Sequence, residues 1–208
     1  MTYLERRYLV LACRHYGKTT FVVWLASQIE VNPGVTWTVA YVVQADASDI
    51  YRAAGYREAR TLHAVRRLMR DGAPRIMARP PVSPAALIDF CLECRRNLPD
   101  KHLTLVIDEL IDPEIVQGET TPELRIDNLR VLLAVERGCN VIMASQYPAS
   151  VPMAARQLAE EVYLGRIPHK AALLRLYKMG VPQEILRELP SQGVPPKPLY
   201  EFLTWQAD

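Results

Sequence analysis

Gly17, Lys18 and Thr19 are the residues whose types and spacing point most directly to chemistry. They follow the apolar run Tyr8-Leu-Val-Leu-Ala12 and lead into Phe21-Val-Val-Trp-Leu25. A strand, a short loop and a helix opening on Gly-Lys-Thr together form a cradle for a triphosphate. The loop amides and the positive end of the helix dipole converge on the phosphates, and the lysine neutralises their outer oxygens. The candidate nucleotide-binding residues are therefore Ala12, Cys13, Arg14, His15, Tyr16, Gly17, Lys18, Thr19 and Thr20, with the Thr19 hydroxyl as a ligand for Mg²⁺. The complete pattern of such a loop is GxxxxGK[ST], and Ala12 stands where the first glycine belongs, so the motif is degenerate. Two further segments add to it. His102-Leu-Thr-Leu-Val-Ile-Asp108-Glu109 is an apolar strand delivering adjacent carboxylates at its C-terminal end, the edge where open parallel sheets bind ligands. Asp108 would support Mg²⁺, and Glu109 would polarise the water that attacks the γ-phosphate. The strand Asn140–Ala144 then ends in Ser145-Gln146-Tyr147-Pro148, and Gln146 is placed to touch both the γ-phosphate and the attacking water.

These residues need a scaffold that brings three strand ends to one edge. Short aliphatic runs alternate along the chain with longer amphipathic stretches, the pattern of an α/β fold with a mostly parallel central sheet flanked by helices. The spacing predicts strands near 8–12, 36–43, 75–78, 103–107, 140–144, 162–165 and 199–203, and helices near 18–29, 60–69, 83–98, 122–137, 153–160, 170–179 and 183–189. Breaks fall at Asn32-Pro33-Gly34, Asp71-Gly72, Pro80-Pro81, Gly118 and Pro195-Pro196. One P-loop domain over 1–208 is expected, with a core over about 8–166 and a helix-and-strand extension over about 167–208.

Composition narrows the classes. Half of the 208 residues are apolar, enough for a sizeable core, and 23% are charged, with a net charge of +2. The near balance of charge argues against a protein that coats nucleic acid through bulk charge, while leaving room for a local basic stripe. No apolar run approaches the ~18 residues of a membrane span, so the expectation is an intracellular protein without one. Cys91 and Cys94 form a CxxC inside a helical apolar pattern without a second pair, which reads as buried thiol rather than as a zinc site. Among 25 basic residues there are five lysines and twenty arginines, a bias suited to phosphate.

The three motifs together resemble the additional-strand, catalytic-glutamate division of P-loop ATPases (RecA-like and FtsK/HerA-like), and within it the FtsK/HerA superfamily of DNA pumps. With Val151-Pro152 after the sensor loop and a segment such as Leu199-Tyr-Glu-Phe-Leu-Thr-Trp205 near the end, the chain looks most like the genome-packaging ATPases of tailless, internal-membrane icosahedral viruses, over roughly 8–204. That resemblance implies an ATP- and Mg²⁺-dependent hydrolase that translocates double-stranded DNA without sequence preference into a preformed capsid. It also implies a homo-oligomeric ring (pentamer or hexamer) working against capsid or portal-vertex proteins, in the host cytoplasm and at the packaging vertex of the virion, and not secreted. The loop departs from the family: Arg14-His-Tyr-Gly-Lys-Thr19 looks more like that of large terminase subunits of tailed phages, which would make Arg14 an arginine finger in cis. Those subunits carry a nuclease domain, and no acidic metal-binding cluster follows Gln146.

Ring ATPases complete each site with an arginine from a neighbouring subunit, because the transition state spreads charge over the γ-phosphate oxygens. Arg130 and then Arg137, one heptad apart on the helix before the sensor strand, are the candidates the resemblance favours, with Arg79 a further option. Arg60, His63, Arg67 and Arg70 recur at spacings of three, four and three and are expected on one helical face as a DNA-binding stripe, or as an ordinary solvated face. A terminase-like ATPase subunit without nuclease, a P-loop small-molecule kinase and a P-loop scaffold or assembly factor with a decayed loop are the alternatives.

Overall fold

The computed structural model describes residues 6–13, 16–31, 35–98, 100–109, 139–148, 151, 153–189 and 203–206. Its centre is an eight-stranded sheet of β1 (Arg7–Leu11), β2 (Val35–Val42), β3 (Arg57–Ala59), β4 (Arg75–Ala78), β5 (His102–Asp108), β6 (Cys139–Ser145), β7 (Glu161–Leu164) and β8 (Leu203–Gln206). The strand order is β3-β4-β2-β5-β6-β1-β7-β8. Every pairing is parallel except β7 with β8, so the expected mostly parallel α/β sheet is what the chain forms. The helices are α1 (Lys18–Glu30), α2 (Ala45–Ala53), α3 (Leu62–Arg70), α4 (Pro84–Asn97), α5 (Met153–Leu158), α6 (Lys170–Lys178) and α7 (Gln183–Glu188).

Alternation along the central strands explains why the sheet is covered on both sides. Leu9, Leu11, Val39, Leu105, Ile107, Val141 and Met143 join one buried cluster with residues of α3 and α4. Tyr8, Val10, Ala40, Val42, Val106, Ile142 and Ala144 join the other, with α1 and α2. Successive strand side chains point to opposite faces, so a strand buried on both faces is mainly apolar, as Leu103-Thr-Leu-Val-Ile107 of β5 and Val141-Ile-Met-Ala144 of β6 are. Helix starts are locally encoded. The Thr61 hydroxyl accepts from the Ala64 amide at 3.1 Å, and Ser83 precedes Pro84 at the first turn of α4.

Three features depart from the expectation, and two others lie wholly or partly outside the described residues. The helix α2 and the short edge strand β3 were not foreseen. Of the last strand, expected over 199–203, residues 199–202 lie outside the described residues, and the described strand runs over 203–206, paired antiparallel to β7. Arg60 lies before the Thr61 cap of α3 and so off the helical face assigned to it. The expected helix over 122–137 falls outside the described residues.

Candidate phosphate and water site

The sheet order itself assembles the site. β1, which leads into the Gly-Lys-Thr loop, lies beside β6, and β6 lies beside β5, so the ends of all three motif strands share one edge. Leu11 stands opposite Ser145 and Asp108 opposite Ala144, placing Gln146 and Glu109 one residue beyond paired positions. After β1 the backbone is tied to its neighbours by Ala12 N donating to the Ser145 carbonyl at 3.3 Å and Cys13 N to the Arg166 carbonyl at 2.8 Å. Gly17 adopts φ 79°, a left-handed turn that glycine enters without steric cost, and it opens α1 with no side-chain cap. Among the described residues no side chain caps the first amides of α1, the arrangement an anion site requires.

Lys18 is buried in this turn and points at the carboxylates. Its Nζ donates to Asp108 Oδ1 at 2.7 Å and stands 3.5 Å from Glu109 Oε2. The Thr19 hydroxyl donates to the other oxygen, Asp108 Oδ2, at 3.0 Å. Asp108 therefore receives one donor on each oxygen. Glu109 is held by a different clasp, with Gln146 N donating to Oε1 at 3.1 Å and Gln146 Nε2 to Oε2 at 2.8 Å. Its backbone sits at φ 83° while its amide donates to the Ala144 carbonyl at 3.1 Å. A left-handed conformation costs a non-glycine residue on the order of 1 kcal/mol, so the surrounding bonds must hold it. Ser145, buried at the end of β6, shapes the sensor turn by accepting from the Tyr147 amide at 3.1 Å.

The placements follow the expectations unevenly. Ala12 and Tyr16 are buried, Cys13 is partly buried, Thr20 is exposed, and Arg14 and His15 lie outside the described residues, as do Arg130 and Arg137. Arg79, at the end of β4, directs Nη2 at the Val43 carbonyl at 3.5 Å. Of the basic stripe, Arg60 is paired with Glu58 at 2.8 Å, while His63, Arg67 and Arg70 are exposed on α3. Cys91 is buried within α4 and Cys94 partly so, both as free thiols.

Two contributors escaped sequence reasoning. Tyr51 of α2 is fully buried beneath Asp108; burial first, and the Asp108 carboxylate next, push its phenol well above the ordinary value, so it stays protonated. Gly165, just past β7, backs the loop: a Cβ there would meet the Tyr16 ring at 2.6 Å and Ala12 Cβ at 2.8 Å. A glycine after a strand carries no distinguishing signal, and Tyr51 sits on a helix the sequence did not reveal.

The donor set at Thr19 and Asp108, a hydroxyl and a carboxylate meeting at one point, is oxygen only and sparse. That suits Mg²⁺, which keeps several waters and takes one or two protein oxygens beside substrate phosphates.

No protein-family model matches the sequence, and no curated protein sequence does. Among solved structures the fold is similar to that of the genome packaging NTPase B204 of Sulfolobus turreted icosahedral virus 2 with sulfate, with a TM-score of 0.69 at 11% identity over 97% of this chain and 91% of that one. It is similar as well to B204, the DNA-packaging ATPase of Sulfolobus turreted icosahedral virus, with a TM-score of 0.69 at 12% identity over 97% and 92% of the two chains. The chain has the fold of a P-loop NTPase. The pCW3 conjugation coupling protein TcpA, in its monomer form with ATPγS, is similar over 82% of this chain and 51% of its own, with a TM-score of 0.55 at 15% identity. The expected likeness to viral packaging ATPases thus holds at the level of the fold. Among the described residues, no helix is long and apolar enough to cross a membrane.

Proposed function

We propose that this protein is a Mg²⁺-dependent ATPase that translocates double-stranded DNA during packaging of a viral genome, acting as a homo-oligomeric ring. The observation that carries the reading is the convergence of Lys18, Thr19, Asp108, Glu109 and Gln146 at the ends of three adjacent strands. Lys18 would exchange the Asp108 carboxylate for the outer phosphate oxygens, and the uncapped amides of α1 would face the inner ones. Mg²⁺ would be held through Thr19 and Asp108 and would supply charge neutralisation on the phosphates. Glu109 accepts the proton of the attacking water, and Gln146, already bonded to both Glu109 oxygens, fixes the direction in which that carboxylate points. The finger that completes the site is proposed among Arg130, Arg137, Arg79 and, in cis, Arg14. Support for the DNA substrate comes from the fold shared with B204, which is described as a genome packaging NTPase and as a DNA-packaging ATPase. Capsid or portal-vertex proteins are the proposed partners, and the host cytoplasm and the packaging vertex the proposed locations.

The test is ATP hydrolysis with and without double-stranded DNA, together with solution mass. Stimulation by duplexes of unrelated sequence and a ring-sized mass are expected. Wild-type turnover in Lys18→Ala and Glu109→Gln proteins would sink the site assignment, whereas phosphoryl transfer to a metabolite without DNA stimulation would favour a kinase.

A further inference from the structure

Between α3 and α4 lies a groove of about 480 Å³ that the ATPase reading does not use. His63, Arg66 and Arg70, at spacings of three and four, line one wall from α3, with Met69 behind them. Phe90, Cys94 and Leu98, each four apart on or just past α4, line the other, and Trp37 of β2 closes the floor. The α4 wall and the floor are apolar and the α3 wall is basic. Arg66 is already engaged: its guanidinium lies over the Phe90 ring at 5.2 Å and bonds Glu93 at 2.9 Å. Arg67 and Arg70, in the last turn of α3, form no ion pair among the described residues, and α3 itself contains no acidic residue. Leu98 is 43% exposed at the groove mouth.

The groove is remote from the nucleotide edge. Trp37 pairs with Leu103 near the start of β5, whereas Val42 pairs with Asp108 at its end, five residues further along. At about 3.3 Å per residue that is roughly 16 Å. The groove also belongs to the face packed by α3 and α4, not the one covered by α1. A ligand here would leave the phosphate loop free.

We propose that this groove docks an acidic segment of a partner protein that inserts a bulky apolar side chain between α3 and α4 and sets its carboxylates against Arg70 and Arg67. The proposal stands on the groove alone and does not depend on the ATPase reading. Charge complementarity selects an acidic partner: arginines with no ion pair among the described residues, on a helix without acids, attract carboxylates. Concavity selects a peptide over a nucleic acid duplex, because a phosphate backbone contacts a convex basic face and has nothing to fill an apolar slot walled by Trp37, Phe90 and Leu98. The basic spacing along α3 is thereby accounted for without DNA.

The experiment is fluorescence anisotropy on the full chain with a fluorescein-labelled short peptide, two central phenylalanines flanked by glutamates. Binding is expected, weakened about tenfold by Arg70→Glu and about tenfold by Leu98→Asp, and similarly when serines replace the phenylalanines of the peptide. Both substitutions are at exposed positions, and unchanged thermal melting establishes that any loss is local. Absence of binding, or binding indifferent to Leu98→Asp and to the serine exchange, would overturn the proposal. So would a short DNA duplex that displaces the peptide and is weakened by Arg70→Glu but not by Leu98→Asp, since the face would then be a nucleic-acid stripe.

Discussion

Asp108 governs the residue scale, because it is 3% exposed and receives Lys18 on one oxygen and Thr19 on the other. Neutralising it leaves a buried ammonium against an amide. Breaking a buried pair costs about 3–5 kcal/mol, and the lower end applies here because Glu109 Oε2 remains 3.5 Å from Nζ. Asp108→Asn is therefore expected to lower stability in urea by about 3 kcal/mol without nucleotide. The Glu109 clasp separates two roles kinetically. Glu109→Gln removes the proton acceptor, so kcat is expected to fall by about 10²–10⁴-fold with little change in KM. Gln146→Ala keeps the acceptor but frees its direction, and a fall nearer 10²-fold is expected, the scale of lost positioning. Equal kcat for wild type and Gln146→Ala in a steady-state assay would show that the two bonds from Gln146 do not orient the base. Asp108, Glu109 and Gln146 were legible because each closes an apolar strand with a polar residue. The left-handed turn at Glu109 was not, since nothing in Asp-Glu-Leu announces φ 83°.

At the scale of elements, legibility followed length and periodicity. β5 and β6 are built on the largely apolar runs Leu103-Thr-Leu-Val-Ile107 and Val141-Ile-Met-Ala144, and α4 has a cap, a first-turn proline and three buried turns, so each declares itself. α2 does not: Ala45-Asp-Ala-Ser-Asp49 reads as a turn-forming cluster, and its buried positions Ala47, Ser48 and Tyr51 define barely one helical turn. It is packing against β2 and α1 that makes this segment helical. β3 has only three residues and borrows its conformation from β4. The Gly165 junction carries the element-scale prediction. Behind the phosphate loop, β7 approaches Tyr16 so closely that a methyl group would stand 2.6–2.8 Å from the ring and from Ala12. Tyr16 is 1% exposed and cannot swing outward freely, so the strain falls on the loop. Gly165→Ala is expected to cost about 1–3 kcal/mol and to weaken nucleotide binding as well, read by urea melts and by ATP titration. A stability loss with unchanged nucleotide affinity would mean that Tyr16 moves without disturbing the loop.

For the molecule as a whole, the phenols and thiols shifted by folding all move upward, while the Glu58 carboxyl is lowered by its hydrogen bonds from Arg52 and Arg60. Burial raises Cys94 from 9.0 to about 11 and Tyr8 from 10.0 to about 12, with Glu93 and Glu161 as the next contributors. Tyr51, Tyr56, Tyr163 and Cys91 are raised too, burial again leading. The folded chain therefore holds protons that the unfolded chain releases. For a group raised on folding, the stabilising contribution is complete below the unfolded pKa and vanishes as pH climbs through the folded one. Stability should hold up to pH 9, fall as the thiols are drawn off toward 11, and fall further from 10 to 12 as Tyr8 follows. The arginine excess keeps that window clean. Arg6–Glu161, Arg52–Glu58 and Arg75–Glu30 are all guanidinium pairs, and guanidinium does not titrate there, so these contacts persist while phenols and thiols ionise. Tyr8→Phe removes one such proton without emptying its site, because the ring still stacks on Tyr163 at 6.4 Å. Its urea midpoint should match wild type near pH 8 and exceed it, relative to that match, at pH 11. A constant offset between the two proteins across pH 8–11 would show that Tyr8 contributes packing alone and that the alkaline loss belongs to the other buried phenols and thiols.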